Sequence, residues 1–188
     1  LSPRTNNASY GINMYSGQNL SLQVQSGGDV DVERGDLIFS TAGKGIVLGA
    51  TSNTAANTLD DYEEGTHTAT LTMGSGTAAL SVDQLSYTKV GRLVTLQGQI
   101  RVGTVSSPSG TLKISLPFSA IGGETGYGVG TYRSYQIDTP NDGVNAIIAS
   151  DTGTAYAFLA WSRDSATDTP ERATENGYFM LGLTYMAA

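Results

Sequence analysis

Residues 87–100 read YTKVGRLVTLQGQI, and the pattern runs on through Arg101 and Val102. From Val94 the side chains alternate. Val94, Leu96, Gly98, Ile100 and Val102 fall on one side of an extended backbone, and Thr95, Gln97, Gln99 and Arg101 on the other. A period of two with one apolar and one polar side marks a strand that faces a core and water. After the turn-forming SSPSG (106–110), Leu112, Ile114, Leu116 and Phe118 repeat the pattern, which predicts an antiparallel pair. Upstream, Leu80, Val82, Leu85 and Tyr87 lose phase once near Asp83 and Gln84, as a β-bulge would make them do. Further strands are expected over 127–135, 145–150, 154–163 and 178–186. About eight strands at this spacing, with no window of helical period, define an all-β chain: an antiparallel β-sandwich of jelly-roll type.

Composition agrees. Charged residues are 14% of the 188, against 39% hydrophobic, with 24 Gly, 10 Tyr, 4 Phe and 1 Trp. Few charges and many turn residues suit strands and tight turns, and the aromatics speak against a disordered chain. A net charge of −7 argues against nucleic acid, whose phosphates require Lys and Arg, and against adhesion to anionic membranes. No apolar run approaches the ~20 residues that span a bilayer as a helix. The first residues, LSPRTNNASYGINMYSG, lack the layout of a signal peptide, and a start on Leu1 reads as part of a longer chain. Cysteine is absent, which removes disulfides and thiolate metal sites.

The chain divides into 1–49, 50–65 and 66–188. In the first part the apolar runs are very short (20–24, 30–32, 37–39 and 45–48) and are separated by Gly or Asp. Such strands cannot offset chain entropy alone and need a partner, most simply another copy of the chain. Residues 1–49 therefore read as an oligomeric β-shaft. The segment ATSNTAANTLDDYEEG (50–65) reads as a polar connector. Its carboxylates Asp60, Asp61, Glu63 and Glu64 are suitable ligands for a hard cation. The Asp-x-Asp-x-Asp-Gly spacing is missing, however, so they read as a solvated acidic corner, held down by Tyr62 packing on the following domain.

Catalytic chemistry is poorly supplied. His67 is the only histidine, no Ser lies in a Gly-x-Ser-x-Gly elbow, and no His pair is available for a metal. Asp138, Asp142, Asp151, Asp164, Asp168, Glu171 and Glu175 offer carboxylates of the kind a glycosidase pairs across a cleft. The long β-helical repeat usual in polysaccharide-cutting spikes is not visible. The expectation is a non-enzymatic protein without cofactor or metal. The glycines of GYGVG (126–130) lack the strand-to-helix setting and the Lys of a phosphate cradle, and read as points of bending or close approach.

The final strand, GYFMLGLTYMAA (177–188), is apolar on nearly both sides, which demands cover on both. Leu37, Phe39, Ile46 and Leu48 of the shaft, with Met180, Leu183 and Tyr185 of this strand, form the expected subunit interface. Two polar segments, QIDTPNDGVN (136–145) and WSRDSATDTPERATENG (161–177), carry aromatic rings beside planar polar groups, the types that bind sugars. Tyr132, Tyr135, Asp138, Asn141 and Asp142 make one expected receptor patch, and Trp161, Arg163 and Asp164 the other.

Three blocks, LDDYEEGTH (59–67), the stretch 87–100 and SLPFSA (115–120), follow a leader GDLIFSTAGKGIVLG (35–49). In this combination the chain resembles the distal, C-terminal shaft-and-knob region of bacteriophage tail fibres and related virion appendages, those of marine phages above all. The resemblance implies three intertwined copies and a place on the virion after assembly in the host cytoplasm. It also implies contact with other virion proteins through the N-terminal side and recognition of a host surface glycan or protein by the knob. A head fibre or capsid decoration protein, and a monomeric carbohydrate-binding module, are the competing readings.

Overall fold

The computed structural model describes residues 15–16, 19–20, 36–50, 52, 57–137, 145–150, 152–162, 169–170 and 173–188. The chain forms two units, Leu1–Phe39 and Ser40–Ala188. In the first, β1 (Tyr15–Ser16) and β2 (Asn19–Leu20) pair antiparallel. The second begins with a short ribbon in which β3 (Ile46–Val47) pairs with β4 (Thr58–Leu59). The Asn57 side chain closes that ribbon by donating to the carbonyl of Leu48 at 3.1 Å.

The rest is an all-β, antiparallel sandwich. Its strands are β5 (Tyr62–Thr68), β6 (Leu71–Thr72), β7 (Ser75–Val82), β8 (Gln84–Val90), β9 (Leu93–Ser109) and β10 (Leu112–Ser115). They are followed by β11 (Val129–Tyr135), β12 (Asn145–Ser150), β13 (Tyr156–Ser162), β14 (Thr169–Pro170) and β15 (Tyr178–Met186). Hydrogen bonding runs β5-β8-β9-β15-β11-β12-β13-β10-β6. Because β6 follows β5 directly along the chain, the ladder returns to where it began. The joint lies at Ala69 and Thr70: the Ala69 amide donates to Asp83 at 2.7 Å, whereas the Thr70 carbonyl accepts from Ser115 at 3.0 Å.

The expected pairing of 94–102 with 112–118 is not found. Leu112–Ser115 pairs instead with β13 and β6, while the long β9 carries on through the SSPSG segment to Ser109, paired with β7. Residues 70–90 and 93–115 thus run as one bent ribbon that passes from one side of the sandwich to the other. Gly110 marks the bend; its φ is +86°, and a Cβ there would meet the Gly74 backbone at 2.9 Å. The SSPSG segment looked like a hairpin turn because Ser, Pro and Gly also serve bends within a ribbon. The phase break expected near Asp83 falls between β7 and β8, and the β7–β9 register shifts between Leu80 and Val82.

The alternation read from the sequence fills the core. Val94, Leu96, Ile100 and Val102 of β9, Leu85 of β8, and Leu112 and Ile114 of β10 are buried together with Leu159, Phe179, Leu181, Leu183 and Tyr185. β15 lies between β9 and β11, and its inward residues Phe179, Leu181, Leu183 and Tyr185 are all buried in the core. The glycines of GYGVG serve close approach within the chain. A Cβ on Gly128 would meet Tyr185 Cβ at 2.4 Å, and one on Gly130 the Gly182 carbonyl at 1.9 Å. Ser150, the buried polar side chain nearby, accepts from the Gly128 amide at 2.7 Å and donates to the Gly126 carbonyl at 3.2 Å.

Candidate functional site

The outward sides of β5, β8, β9, β15 and β11 form one continuous face, whose contents follow from strand register. At one rim Tyr62, Val90, Leu93 and Met186 are successive cross-strand neighbours, all exposed. The next row is Glu64, Thr88, Thr95 and Thr184, and the one after it Thr66, Ser86, Gln97, Gly182 and Thr131. At the opposite rim Gln99, Met180 and Arg133 lie in register, and beside them Val82, Arg101, Tyr178 and Tyr135. The face therefore has an apolar rim, a hydroxyl- and amide-rich middle, and a rim of aromatic rings and guanidinium groups.

At the second rim Tyr135 and Tyr178 stack with ring centroids 4.9 Å apart and planes 25° from parallel. Tyr135 keeps 47% of its surface exposed. The Arg101 guanidinium reaches Asn176 Oδ1 at 3.4 Å, and Arg133 is exposed. Among the described residues the ion pair is Lys89 with Asp61, so neither arginine is paired with a carboxylate there. β11 and β13 end, and β12 and β15 begin, on this side of the body, so both polar segments singled out in the sequence are attached to it.

The residues expected at functional surfaces are distributed unevenly. Tyr132 is buried, its hydroxyl donating to the Ala160 carbonyl at 3.1 Å and its ring meeting Phe179 edge-on at 5.6 Å, so it is a core residue and not part of a receptor patch. Tyr135 is on the surface. Trp161 lies in β13, where its backbone pairs with Ala146 and Thr169. Asp138, Asn141, Asp142, Arg163 and Asp164 lie outside the described residues. Of the interface set, Leu37, Phe39, Ile46, Leu48 and Met180 are exposed. Leu183 and Tyr185, each 2% exposed, instead fill the chain's own core, because odd-numbered positions of β15 point inward. Arg101, Arg133, Val90 and Leu93 are not singled out from the sequence, and Tyr178 and Met186 enter there only as the second apolar side of the final strand. Parity along β9 and β15 puts Arg101 and Tyr178 on the outward side, but which strands are neighbours was not legible.

Part of the acidic stretch is strand: Tyr62, Glu63 and Glu64 open β5, while Asp60 and Asp61 link it to β4. Tyr62 is exposed rather than packed, and its hydroxyl donates to Glu64 at 3.0 Å. That hydrogen bond to a carboxylate, with the carboxylate's charge, raises the Tyr62 pKa. Tyr87 donates to Glu63, which likewise raises its pKa, and Lys89 pairs with Asp61. Among the described residues no group of three or more His, Asp or Glu is gathered as metal ligands.

His67 sits within β5 close to the joint. Its Nε2 lies 2.9 Å from Ser115 Oγ and 3.1 Å from the Ser115 carbonyl; with its proton on Nε2 the imidazole donates to that carbonyl. Burial lowers its pKa, opposed by this hydrogen bond. The imidazole thus ties β5 to β10. Tyr185 has its pKa pushed up to about 12 by burial, while its hydroxyl donates to the Phe118 carbonyl at 2.9 Å.

No protein-family model matches the chain, and no curated protein matches it. Among solved structures it is similar to the crystal structure of the Dettilon tailspike protein, at 19% identity and a TM-score of 0.49. That match covers 66% of this chain and 23% of the tailspike chain.

Proposed function

We propose that this chain is the distal part of a phage tail fibre, a trimeric virion appendage that binds a host-cell surface receptor, a glycan, without cleaving it. The observation that carries the reading is the apolar surface left without cover in one copy. Leu37, Ile38 and Phe39 in the leader, Ile46, Leu48 and Leu59 in the ribbon, and Tyr62, Val90, Leu93 and Met186 on the sandwich are all exposed. Covering about 500 Å2 of it per chain contributes on the order of 12 kcal/mol at ~25 cal/mol per Å2, before the loss of translational freedom. Sister copies are the simplest cover, and the resemblance of the leader and knob motifs to tail fibres makes their number three.

Weak binding suffices for such a part. A shallow sugar site with a Kd of about 1 mM yields only about −4 kcal/mol. Repetition on a rigid stalk adds a factor of roughly 10² to 10⁴ through effective concentration. Among the described residues, what supports the non-catalytic reading is that Asp61, Glu63 and Glu64 bond to Lys89, Tyr87 and Tyr62, and that His67 lies against Ser115. Asp138, Asp142, Asp151, Asp164, Asp168 and Glu171 lie outside the described residues. The test is adsorption. Purified chain is expected to sediment as a trimer, to coat susceptible bacteria and to compete with phage infection. A stable monomer that ignores the cells overturns the reading.

A further inference from the structure

The receptor reading leaves open what kind of sugar would be bound and where, and the two rims of the outer face differ in what they suit. The rim of Tyr62, Val90, Leu93 and Met186 carries no charge and fits dry contact with a sister chain. At the other rim the register makes a block of two rows: Arg101, Tyr178 and Tyr135 beside Gln99, Met180 and Arg133. With strands ~4.8 Å apart and a rise of ~3.4 Å per residue, the two arginines occupy opposite corners roughly 12 Å apart at the Cα atoms. Between them lie the stacked tyrosines, with Tyr135 about half exposed.

This placement is informative in a chain of net charge −7, where 17 carboxylates outnumber 10 Lys and Arg. Both guanidinium groups lack a carboxylate partner among the described residues, although Glu175 is exposed next to Asn176. A guanidinium forms paired hydrogen bonds with a planar carboxylate, and an aromatic ring receives the C–H face of a pyranose. Covering the same block with a sister copy would desolvate two cations, which is costly without carboxylates of that copy to pair with them.

We propose that Arg101, Arg133, Tyr135 and Tyr178 form a subsite for carboxylated sugar units of an acidic surface polysaccharide. The sugar ring lies on Tyr135, and its carboxylate pairs with a guanidinium. The inference rests on the receptor-binding reading above and adds to it the ligand's charge and a location on the sheet face.

Oligogalacturonate, its methyl-esterified form and dextran sulfate serve as probes of the full chain in affinity electrophoresis. Retardation by oligogalacturonate and not by the uncharged ester is expected. The double variant Arg101→Gln/Arg133→Gln should weaken it by about 10- to 100-fold, and Tyr135→Ala by about 2- to 10-fold. Absence of retardation by oligogalacturonate overturns the proposal. Equal retardation by dextran sulfate with no effect of Tyr135→Ala also overturns it, because that is attraction to any polyanion. A lower sedimenting mass in the double variant overturns it too, by marking the block as a subunit contact. Cell adsorption separates the two levels: a parent chain that adsorbs to cells while the double variant adsorbs equally well sinks the subsite and leaves the receptor reading standing.

Discussion

The β3–β4 ribbon and the β8–β9 hairpin are both antiparallel pairs that carry apolar side chains, yet those side chains end in opposite places. Ile46 and Leu59 are direct cross-strand partners and both are exposed, as is Leu48 beside them. Val94, Leu96 and Ile100 in β9 are fully buried. The difference is company. Among the described residues β3 and β4 have only each other, whereas the 17-residue β9 is flanked by β7, β8 and β15. β6, as short as β3, still buries Leu71 because it pairs with β10 over the core. Local pattern alone does not make a core; a second layer does.

That contrast can be broken or sharpened by substitution. The largest effect is expected inside the sandwich: Leu183→Ala should cost about 2–5 kcal/mol in urea denaturation, since it leaves a cavity among buried neighbours. A cost near zero would mean that β15 packs otherwise. Tyr132→Phe should cost about 1–3 kcal/mol by taking the hydroxyl from the Ala160 carbonyl. A neutral result would return Tyr132 to the surface, where the sequence reading had put it.

The joint between the two sides is sensed by pH. Burial makes folded His67 harder to protonate than its unfolded value of 6.5, so the unfolded chain takes up the proton first as pH falls. The contribution is present above that value and is lost as pH falls through the lower folded pKa. Urea midpoints measured at about pH 7.5 and pH 5 should therefore separate more in the parent than in His67→Gln. Equal separation in both proteins would show that His67 does not tie β5 to β10.

The smallest effect on the sandwich itself is expected in the ribbon. Leu48→Asp should change the sandwich's own stability by no more than about 0.5 kcal/mol, as for other exposed positions. Sedimentation of the same variant should register lost association, if sister chains cover that leucine. A large drop in the stability of the sandwich would erase the distinction between the two regions.

Much of the fold was readable because a strand in a half-buried sheet states its own parity. Val94 to Val102 and the strands ending at Tyr135, Ser150 and Met186 emerge where periodicity put them. The pairing of Leu112–Ser115 was not readable, since SSPSG has the composition of a turn and the true partner, β13, lies some forty residues further on. The candidate site was legible only in its materials. Tyr135 lies on the surface as expected of a ring that meets a ligand, Tyr132 is buried instead, and Arg101 reads in the sequence only as the polar half of an alternation.

By itself the sequence determined that this chain is all-β and which side of each long strand is apolar. These properties are local, set by neighbours one or two positions away. Only the tertiary structure decided that β15 sits between β9 and β11, that β5 and β6 close the circuit, and that Arg101, Tyr178, Tyr135 and Arg133 share one rim. Strand order is a long-range choice, fixed by how whole faces pack on a common core, and alternation along the chain carries no record of which strand lies beside which.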